Sequence, residues 1–396
     1  MSTGDVLMAY PASAVERAMK AQDVILRAIG GQLTWIQAAE ILGCSPRSIR
    51  RYRWRLEHIG YDGLLDRRRR RPSPKRAAVA DVQRLLTLYR ERYQGFNVRH
   101  FHQIARREHG VRFCYAFVKK ALQAAGLVAK HHPRGRHRRR RDPRPCFGEL
   151  LHLDGSRHHW LALVPEQWFT LIAVVDDATK QLLHAELWAG GESVTAILTA
   201  LRAVLQRYGL PMALYTDRAH WAVHTPTSGS GERSRMTQVG RALQRLGIEH
   251  ILGYSPQARG RSERVNRTLQ DRLVNEWRLA GITTVAAANR YLREQFVPAF
   301  NAEFGRAPRE AASAFVALGG VDLEQILCVE TERVVARDNV VVLNHLALQL
   351  AKQPGRRTCA GLRVLIRRHL NGRHTVWYGG RCLGRYDAHG RPLTAA

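Results

Sequence analysis

Hydrophobic positions along this chain change period several times, and each change marks a different kind of element. Between Thr34 and Leu42, Trp35, Ala38, Ala39 and Leu42 recur at helical spacing. Gly43-Cys44 makes a turn, Ser45 offers a side-chain cap and Pro46 suits a first helical position, which predicts a second helix over Pro46 to Glu57. Ala39, Gly43 and Ile49 stand at the offsets that let two helices cross closely in a helix-turn-helix. Helical spacing returns over Val79 to Tyr93, Val98 to His109 and Tyr115 to Ala125, broken at Gly95-Phe96-Asn97 and stopped at Gly126.

From Cys146 onward short apolar runs alternate with amphipathic ones. Strands are predicted over Glu149 to Asp154, Phe169 to Val175, Leu182 to Trp188, Met212 to Thr216 and Ile248 to Leu252, with a turn at Gly155-Ser156. Helices are predicted over Glu192 to Tyr208, Met236 to Leu246, and from beyond Ser255-Pro256 to about Leu279. Three meandering strands, a helix, a strand, a helix, a strand and a closing helix give a mixed sheet covered on both faces, the element order of ribonuclease H-like domains. In the closing helix Val265, Leu269, Leu273 and Trp277 form the buried stripe. Glu263 lies about 200° around the helix from Val265 and shares its face with Asn266, Arg267 and Gln270. Glu276, at the far end, is expected to be solvated. Beyond residue 328, Arg333-Val334-Val335, Val340-Val341-Val342, Val364 to Arg367 and Thr375 to Tyr378 read as short strands, and Asn371-Gly372 as a hairpin turn.

Composition sharpens this outline. A chain of 396 residues with 45% hydrophobic residues has ample material for two to four folded domains. Lys+Arg total 63 against 33 Asp+Glu, a net charge of +30, and the usual partner of such a field is nucleic acid. Six scattered cysteines include no CxxC pair, which speaks against a zinc knuckle or a disulfide scaffold. No stretch reaches the roughly 20 apolar residues that span a bilayer, and no leader pattern opens the chain, so a soluble, cytoplasmic, nucleoid-associated protein with no membrane partner is expected.

Two arginine-rich, proline-containing breaks, at residues 67–76 and 131–145, read as linkers. They divide the chain into a tail (1–20), a helix-turn-helix domain (21–66), a second helical DNA-binding domain (77–130), an α/β catalytic core (146–312) and a small all-β barrel (313–396). Arg47, Arg50, Arg51 and Arg53 on the second helix of the helix-turn-helix are candidates for the DNA major groove. Arg138, Arg139 and Arg140 in the second linker are candidates for phosphates, as are Arg367, Arg368 and Arg381 near the C-terminus.

Several runs in the core carry a resemblance. Leu153-Asp154-Gly155-Ser156, Asp176-Asp177-Ala178-Thr179, Tyr215-Thr216-Asp217-Arg218 and Ala258 to Arg264 resemble the integrase-core transposases of bacterial insertion sequences. Thr268 to Val274 and Arg278 to Ile282 resemble the ISNCY-type group. The resemblance covers roughly Glu149 to Phe304. It implies a DDE triad of Asp154, Asp217 and Glu263 as both catalytic residues and metal ligands, two magnesium ions with manganese able to substitute, and an SH3-like C-terminal barrel. It further implies a multimer assembled on double-stranded DNA, terminal inverted repeats and target alike, with end cleavage followed by strand transfer. Carboxylates suit that task because magnesium is a hard cation that prefers oxygen ligands. The stretch from Asp217 to Glu263 is longer than in the retroviral-integrase pattern, and the Gly/Ser/Thr/Pro-rich residues His224 to Arg235 are expected to hold the excess.

Other readings stay open at this point. Asp176 or Asp177 could stand in for Asp154 as the strand ligand, although acids closing a strand are common turn-formers. His152, His158 and His159 flank the first aspartate, and His220, three residues past Asp217, is a possible auxiliary group. Arg259, Arg261 and Arg267 are candidates for DNA near the cut. A DNA-binding regulator with an inactive core would explain the charge and the helix-turn-helix, and a nuclease or resolvase would explain the acids.

Overall fold

The computed structural model describes residues 12–65, 77–130, 142–223, 236–253 and 262–393. They fall into two compact units, residues 1–85 and 86–396.

The first unit is helical: α1 (Ala12–Ile29), α2 (Trp35–Ile41), α3 (Pro46–Ile59) and a single 3-10 turn at Tyr61–Leu64. Thr34 and Gln37 close a capping box on α2, and the Ser45 side chain accepts from the Ser48 N–H to start α3. Val24 and Ala28 of α1, Ala38 and Ala39 of α2, and Ile49 of α3 form the core, whose small alanines let the helices cross closely. The tail expected up to residue 20 is, from Ala12, the first half of α1. Ala18, Ala21, Val24, Ile25 and Ala28 are all buried, at the spacing of one helical face. α4 (Val79–Glu91) begins in this unit and ends in the next.

The second unit opens with α5 (Val98–His109) and α6 (Tyr115–Ala124) and continues into a five-stranded mixed sheet. Its strands are β1 (Leu150–His158), β2 (Phe169–Asp176), β3 (Leu182–Ala189), β4 (Ala213–Thr216) and β5 (Glu249–Leu252), in the order β3-β2-β1-β4-β5. β1, β2 and β3 run antiparallel, while β1, β4 and β5 run parallel. α7 (Val194–Tyr208) and α8 (Gln238–Arg245) cover one face, with Leu151, Leu153, Ile172 and Val174 beneath them. α9 (Ser262–Leu279), α10 (Val285–Tyr291) and α11 (Val297–Phe304) cover the other, over Leu171, Ala173 and Leu187. Leu269, Leu273 and Trp277 of α9 are fully buried, the stripe expected from the sequence. Between α10 and α11 the helix widens to a π turn at Leu292–Phe296, just before Pro298, which has no N–H to donate to an α-helical ladder.

β1 does not stop at Asp154. Gly155 and Ser156 stay in the ladder, opposite Ile172 and Leu171, and the strand runs on to His158. Asp154 is therefore a mid-strand residue, and the expected turn at Gly155-Ser156 is absent. The glycine serves close packing instead, since a Cβ there would strike the Glu192 side chain.

Edge strands expose unpaired amides and carbonyls, and here side-chain amides cover them. Asn289 accepts from Leu187 N–H (2.6 Å) and donates to Leu187 C=O (2.9 Å), and Asn301 does the same at Leu182 (2.7 and 3.0 Å). Each asparagine mimics one residue of a sixth strand along β3. Asn301→Ala should cost about 1–3 kcal/mol, the penalty for two buried polar groups left unpaired, read as a lower urea midpoint at unchanged slope.

α5 packs on the outer side of α9. Arg272, almost wholly buried, reaches both carboxylate oxygens of Glu303 (3.0 Å each) and Gln103 Oε1 (2.8 Å). Glu276 accepts from Tyr291 O–H (2.8 Å) and meets His100 Nε2 at 2.9 Å. The solvated position expected for Glu276 is thus incorrect; α5 covers that face of the helix, a contact invisible to helix periodicity. Burial and the Glu276 charge push the Tyr291 hydroxyl well above its ordinary pKa.

After α12 (Leu323–Ile326) the chain forms β6 (Cys328–Val334), β7 (Val340–Leu343), β8 (Leu346–Gln349), β9 (Arg363–His369), β10 (His374–Tyr378) and β11 (Arg381–Tyr386). β11-β10-β9-β6 make an antiparallel sheet, and β7-β8 a separate hairpin that packs its Val341, Leu343 and Leu348 against Val364, Ile366 and Val376. This corrects the expected barrel: β7 and β8 pair only with each other, so among the described residues the sheet never closes. The exposed edge of β6 is covered by Gln238, which bonds the Glu330 N–H (2.9 Å) and C=O (2.8 Å).

Candidate active site

The parallel register of β1 and β4 pairs Leu150 with Ala213, Leu151 with Leu214 and His152 with Tyr215. Asp154 lies two residues past the last position of β1 paired with β4, and Asp217 directly follows the end of β4, two residues past its last position paired with β1. Both aspartates are half-buried. Local hydrogen bonds orient each of them. Asn266 Nδ2 donates to Asp154 Oδ2 (2.9 Å), and Ala219 N–H donates to Asp217 Oδ1 (3.0 Å), turning the chain directly after β4.

α9 lies along β1 with matching pitch. Asn266 touches Asp154 and Gln270 donates to Ser156 Oγ (2.9 Å). Four helical residues advance about 6 Å and two strand residues about 6.6 Å, so the two elements keep step. Glu263 stands three residues before Asn266, in the first turn of α9 on the same face, and is exposed. Among the described residues no three Asp, Glu, His or Cys side chains gather into a metal-binding group. The acidic groups at this end of β1 and β4 are Asp154 and Asp217, with Glu263 one turn from the residue that holds Asp154. An all-oxygen set reached from solvent fits a hard divalent ion such as magnesium and suits a soft metal poorly.

The neighbouring acids are committed elsewhere. Asp176 is fully buried and accepts from Gly148 N–H (2.9 Å), Thr179 N–H and Thr179 O–H (both 2.7 Å). Burial pushes its carboxyl above the ordinary value, against the pull of those three donors. Asp177 accepts from Arg144 N–H (2.7 Å) and meets buried His152 Nε2 at 2.9 Å. Both acids close the β2–β3 turn and anchor the start of β1. Behind Asp217, Thr216 Oγ1 meets His250 Nε2 at 2.9 Å, and burial holds that imidazole below its usual pKa. His220 and Arg267 are exposed, and His159 packs on Trp168 with ring centroids 3.9 Å apart. Burial, then the His159 charge, lowers the pKa of His158.

On α3, Arg47, Arg50 and Arg51 are exposed. Arg53 is already engaged, bonding Glu57 (2.7 Å) and lying over the Trp35 ring. Arg138, Arg139, Arg140, Arg259 and Arg261, and the Gly/Ser-rich stretch from residue 224 to 235, lie outside the described residues. Arg367 is turned inward, donating to Glu330 Oε1 (3.0 Å) and Gln325 Oε1 (2.9 Å), so it does not face a phosphate. Sequence reading missed Glu192, whose only signal was its place just before the Ser193 cap of α7. No helix among the described residues is long and apolar enough to cross a membrane.

The winged helix-turn-helix family matches residues 23–84. A putative transposase of Sinorhizobium fredii, y4bF, is 29% identical over 370 residues, covering 93% of this chain and 80% of its own length. The chain is related to the transposases of bacterial insertion sequences. The transposase for insertion sequence IS1202 of Streptococcus pneumoniae is likewise 29% identical, over 71% of this chain and 67% of its own. Among solved structures, a simian T-cell lymphotropic virus intasome overlaps 79% of this chain and all of its own (13% identity, TM-score 0.31). The HTLV-2 integrase catalytic core domain in complex with magnesium overlaps 37% of this chain and 82% of its own (14% identity, TM-score 0.26). These last two overlaps are too loose to bear on the site.

Proposed function

We propose that this chain is a DNA transposase that binds the terminal repeats of an insertion sequence, cuts at their ends and joins them to target DNA, with Asp154, Asp217 and Glu263 holding two magnesium ions. The observation that carries this reading is the half-buried Asp154 on β1, held by Asn266 of the α9 face that also bears Glu263, with half-buried Asp217 directly after the adjacent parallel strand β4. Relatedness to transposases along 93% of the chain supports it.

When bound, divalent ions would activate the attacking oxygen and stabilise the departing one. The chain's own task is to hold carboxylate oxygens at fixed positions. Asn266 restrains Asp154 from the helix side, and the Ala219 amide restrains Asp217 from its own loop. In the first step water attacks a phosphorus at the element's end, and breaking the P–O bond leaves a free 3′-hydroxyl. In the second, that hydroxyl attacks a target phosphorus and displaces a target 3′-oxygen, so phosphodiester number is conserved. The basic helix-turn-helix supplies end recognition, and assembly of several copies on the DNA pairs the ends.

The test is magnesium-dependent nicking of a duplex bearing the element's terminal repeat, against a random duplex of equal length. Cutting confined to the repeat supports the proposal. Tight, sequence-selective binding with no cutting would mean a regulator, and indiscriminate cutting a nuclease. Arg47→Ala with Arg50→Ala should weaken binding, and every phosphate that an arginine no longer neutralises should lower the salt dependence by about one unit of slope; an unchanged slope in fluorescence anisotropy would remove α3 from the interface.

A further inference from the structure

Glu192 lies where the two aspartate-bearing segments approach each other, and neither the sequence pattern nor the proposed chemistry gives it a role. Its side chain lies flat against Gly155, the residue after Asp154; a Cβ on Gly155 would fall 2.3 Å from Glu192 Oε1. Its other oxygen accepts from the indole N–H of Trp221 at 2.7 Å. Trp221 is 2% exposed and sits four residues past Asp217, in the turn that begins where Ala219 N–H caps the Asp217 carboxylate. Ala222 and Val223 N–H both return to Ala219 C=O (2.8 and 3.0 Å), so this is a hydrogen-bonded turn whose Trp221 and Ala222 join the apolar core shared with α7 and α8. Glu192 is half-buried, and the indole is the hydrogen-bond partner found for it among the described residues.

We infer that Glu192 is a positioning residue, bracing the Asp154 strand against the Asp217 loop through Gly155 on one side and Trp221 on the other. The register of β1 and β4 stops at His152 and Tyr215, before either aspartate, and β4 ends at Thr216. Beyond that point Gly253 N–H still bonds Thr216 C=O (2.9 Å), and the Trp221–Glu192–Gly155 contact adds a direct tie between the Asp217 loop and β1. A carboxylate is suited to the task because it holds a buried indole donor strongly. Gly155 is required for the same reason: any side chain there would push the brace away.

This inference rests on the transposase reading, and two readouts keep their failures apart. The first is hydrogen exchange of the segment 213–223 in the full-length protein without DNA. Glu192→Ala and Trp221→Phe are each expected to speed exchange there at least tenfold, while Glu192→Gln, which keeps an acceptor oxygen, restores most of the protection. Unchanged exchange in Glu192→Ala and Trp221→Phe overturns the brace. The second is the magnesium concentration for half-maximal nicking of terminal-repeat DNA. Glu192→Ala and Trp221→Phe are each expected to raise it several-fold, with anisotropy-measured end binding unchanged, and Glu192→Gln to bring it back toward the parent value. If Glu192→Gln is as impaired as Glu192→Ala, the charge itself acts and the positioning role is wrong. If Glu192→Ala does not fold, Trp221→Phe and Glu192→Gln decide the matter. Absence of nicking by the parent protein would overturn the transposase reading, while the exchange result would still decide the brace.

Discussion

Asp154→Asn is expected to abolish end cleavage and strand transfer together while end binding persists. The amide is isosteric, and its carbonyl oxygen can still accept from Asn266 Nδ2, so β1 and α9 should keep their alignment. What disappears is one anionic oxygen donor of the proposed metal-binding pair. Loss of several kcal/mol of charge stabilisation corresponds to roughly a 10³-fold fall in single-turnover nicking. Cleavage within tenfold of the parent would reject Asp154 as a ligand. Asp177→Asn is the informative contrast: that acid holds Arg144 N–H and His152, so its replacement should show as lower stability with cleavage chemistry intact in the folded fraction.

The second large effect concerns Glu330, the centre of an ion cluster joining α8 to the C-terminal sheet. Its carboxylate receives both terminal nitrogens of Arg245 (2.6 and 3.0 Å) and Arg367 Nε (3.0 Å), with Arg241 at 3.4 Å. Glu330→Ala leaves three arginines facing one another, two of them, Arg241 and Arg367, largely buried, and should cost about 3–5 kcal/mol in a urea melt. A loss below about 1 kcal/mol would mean that the arginines are satisfied by water. Burial pushes the Glu330 carboxyl up, but the Arg245, Arg241 and Arg367 charges outweigh it and hold the pKa below the ordinary glutamate value. A depressed folded pKa gives stability that is full above the unfolded value, about 4.3, and is lost as pH falls through the folded value. Between neutral pH and that acid window the difference between parent and variant should stay constant, then shrink.

The two faces of α9 were legible in the sequence. The four-residue repeat Val265, Leu269, Leu273, Trp277 set the buried side of α9 and therefore the opposite side, where Asn266 and Gln270 do meet β1. Periodicity works there because one helix face is decided by local spacing alone. Gly155 was misread for the opposite reason: glycine allows either a turn or a close approach, and which one occurs depends on Glu192, remote in sequence. Glu276 failed likewise, since solvation depends on whether another element covers the surface, and α5 does.

By itself, then, the sequence determined the order and periodicity of the elements, the basic charge, the helix-turn-helix and the residue types suited to magnesium, because these depend on neighbours within a turn or a pleat. Only the tertiary structure decided that the strands bearing Asp154 and leading to Asp217 are parallel neighbours, that Asp176 and Asp177 are sealed in hydrogen bonds, and that amide side chains finish the edges of β3 and β6. It also left the C-terminal sheet open where a barrel had been expected. Strand register and the choice of partner are long-range pairings, fixed by the packing of distant segments and carrying no local signature.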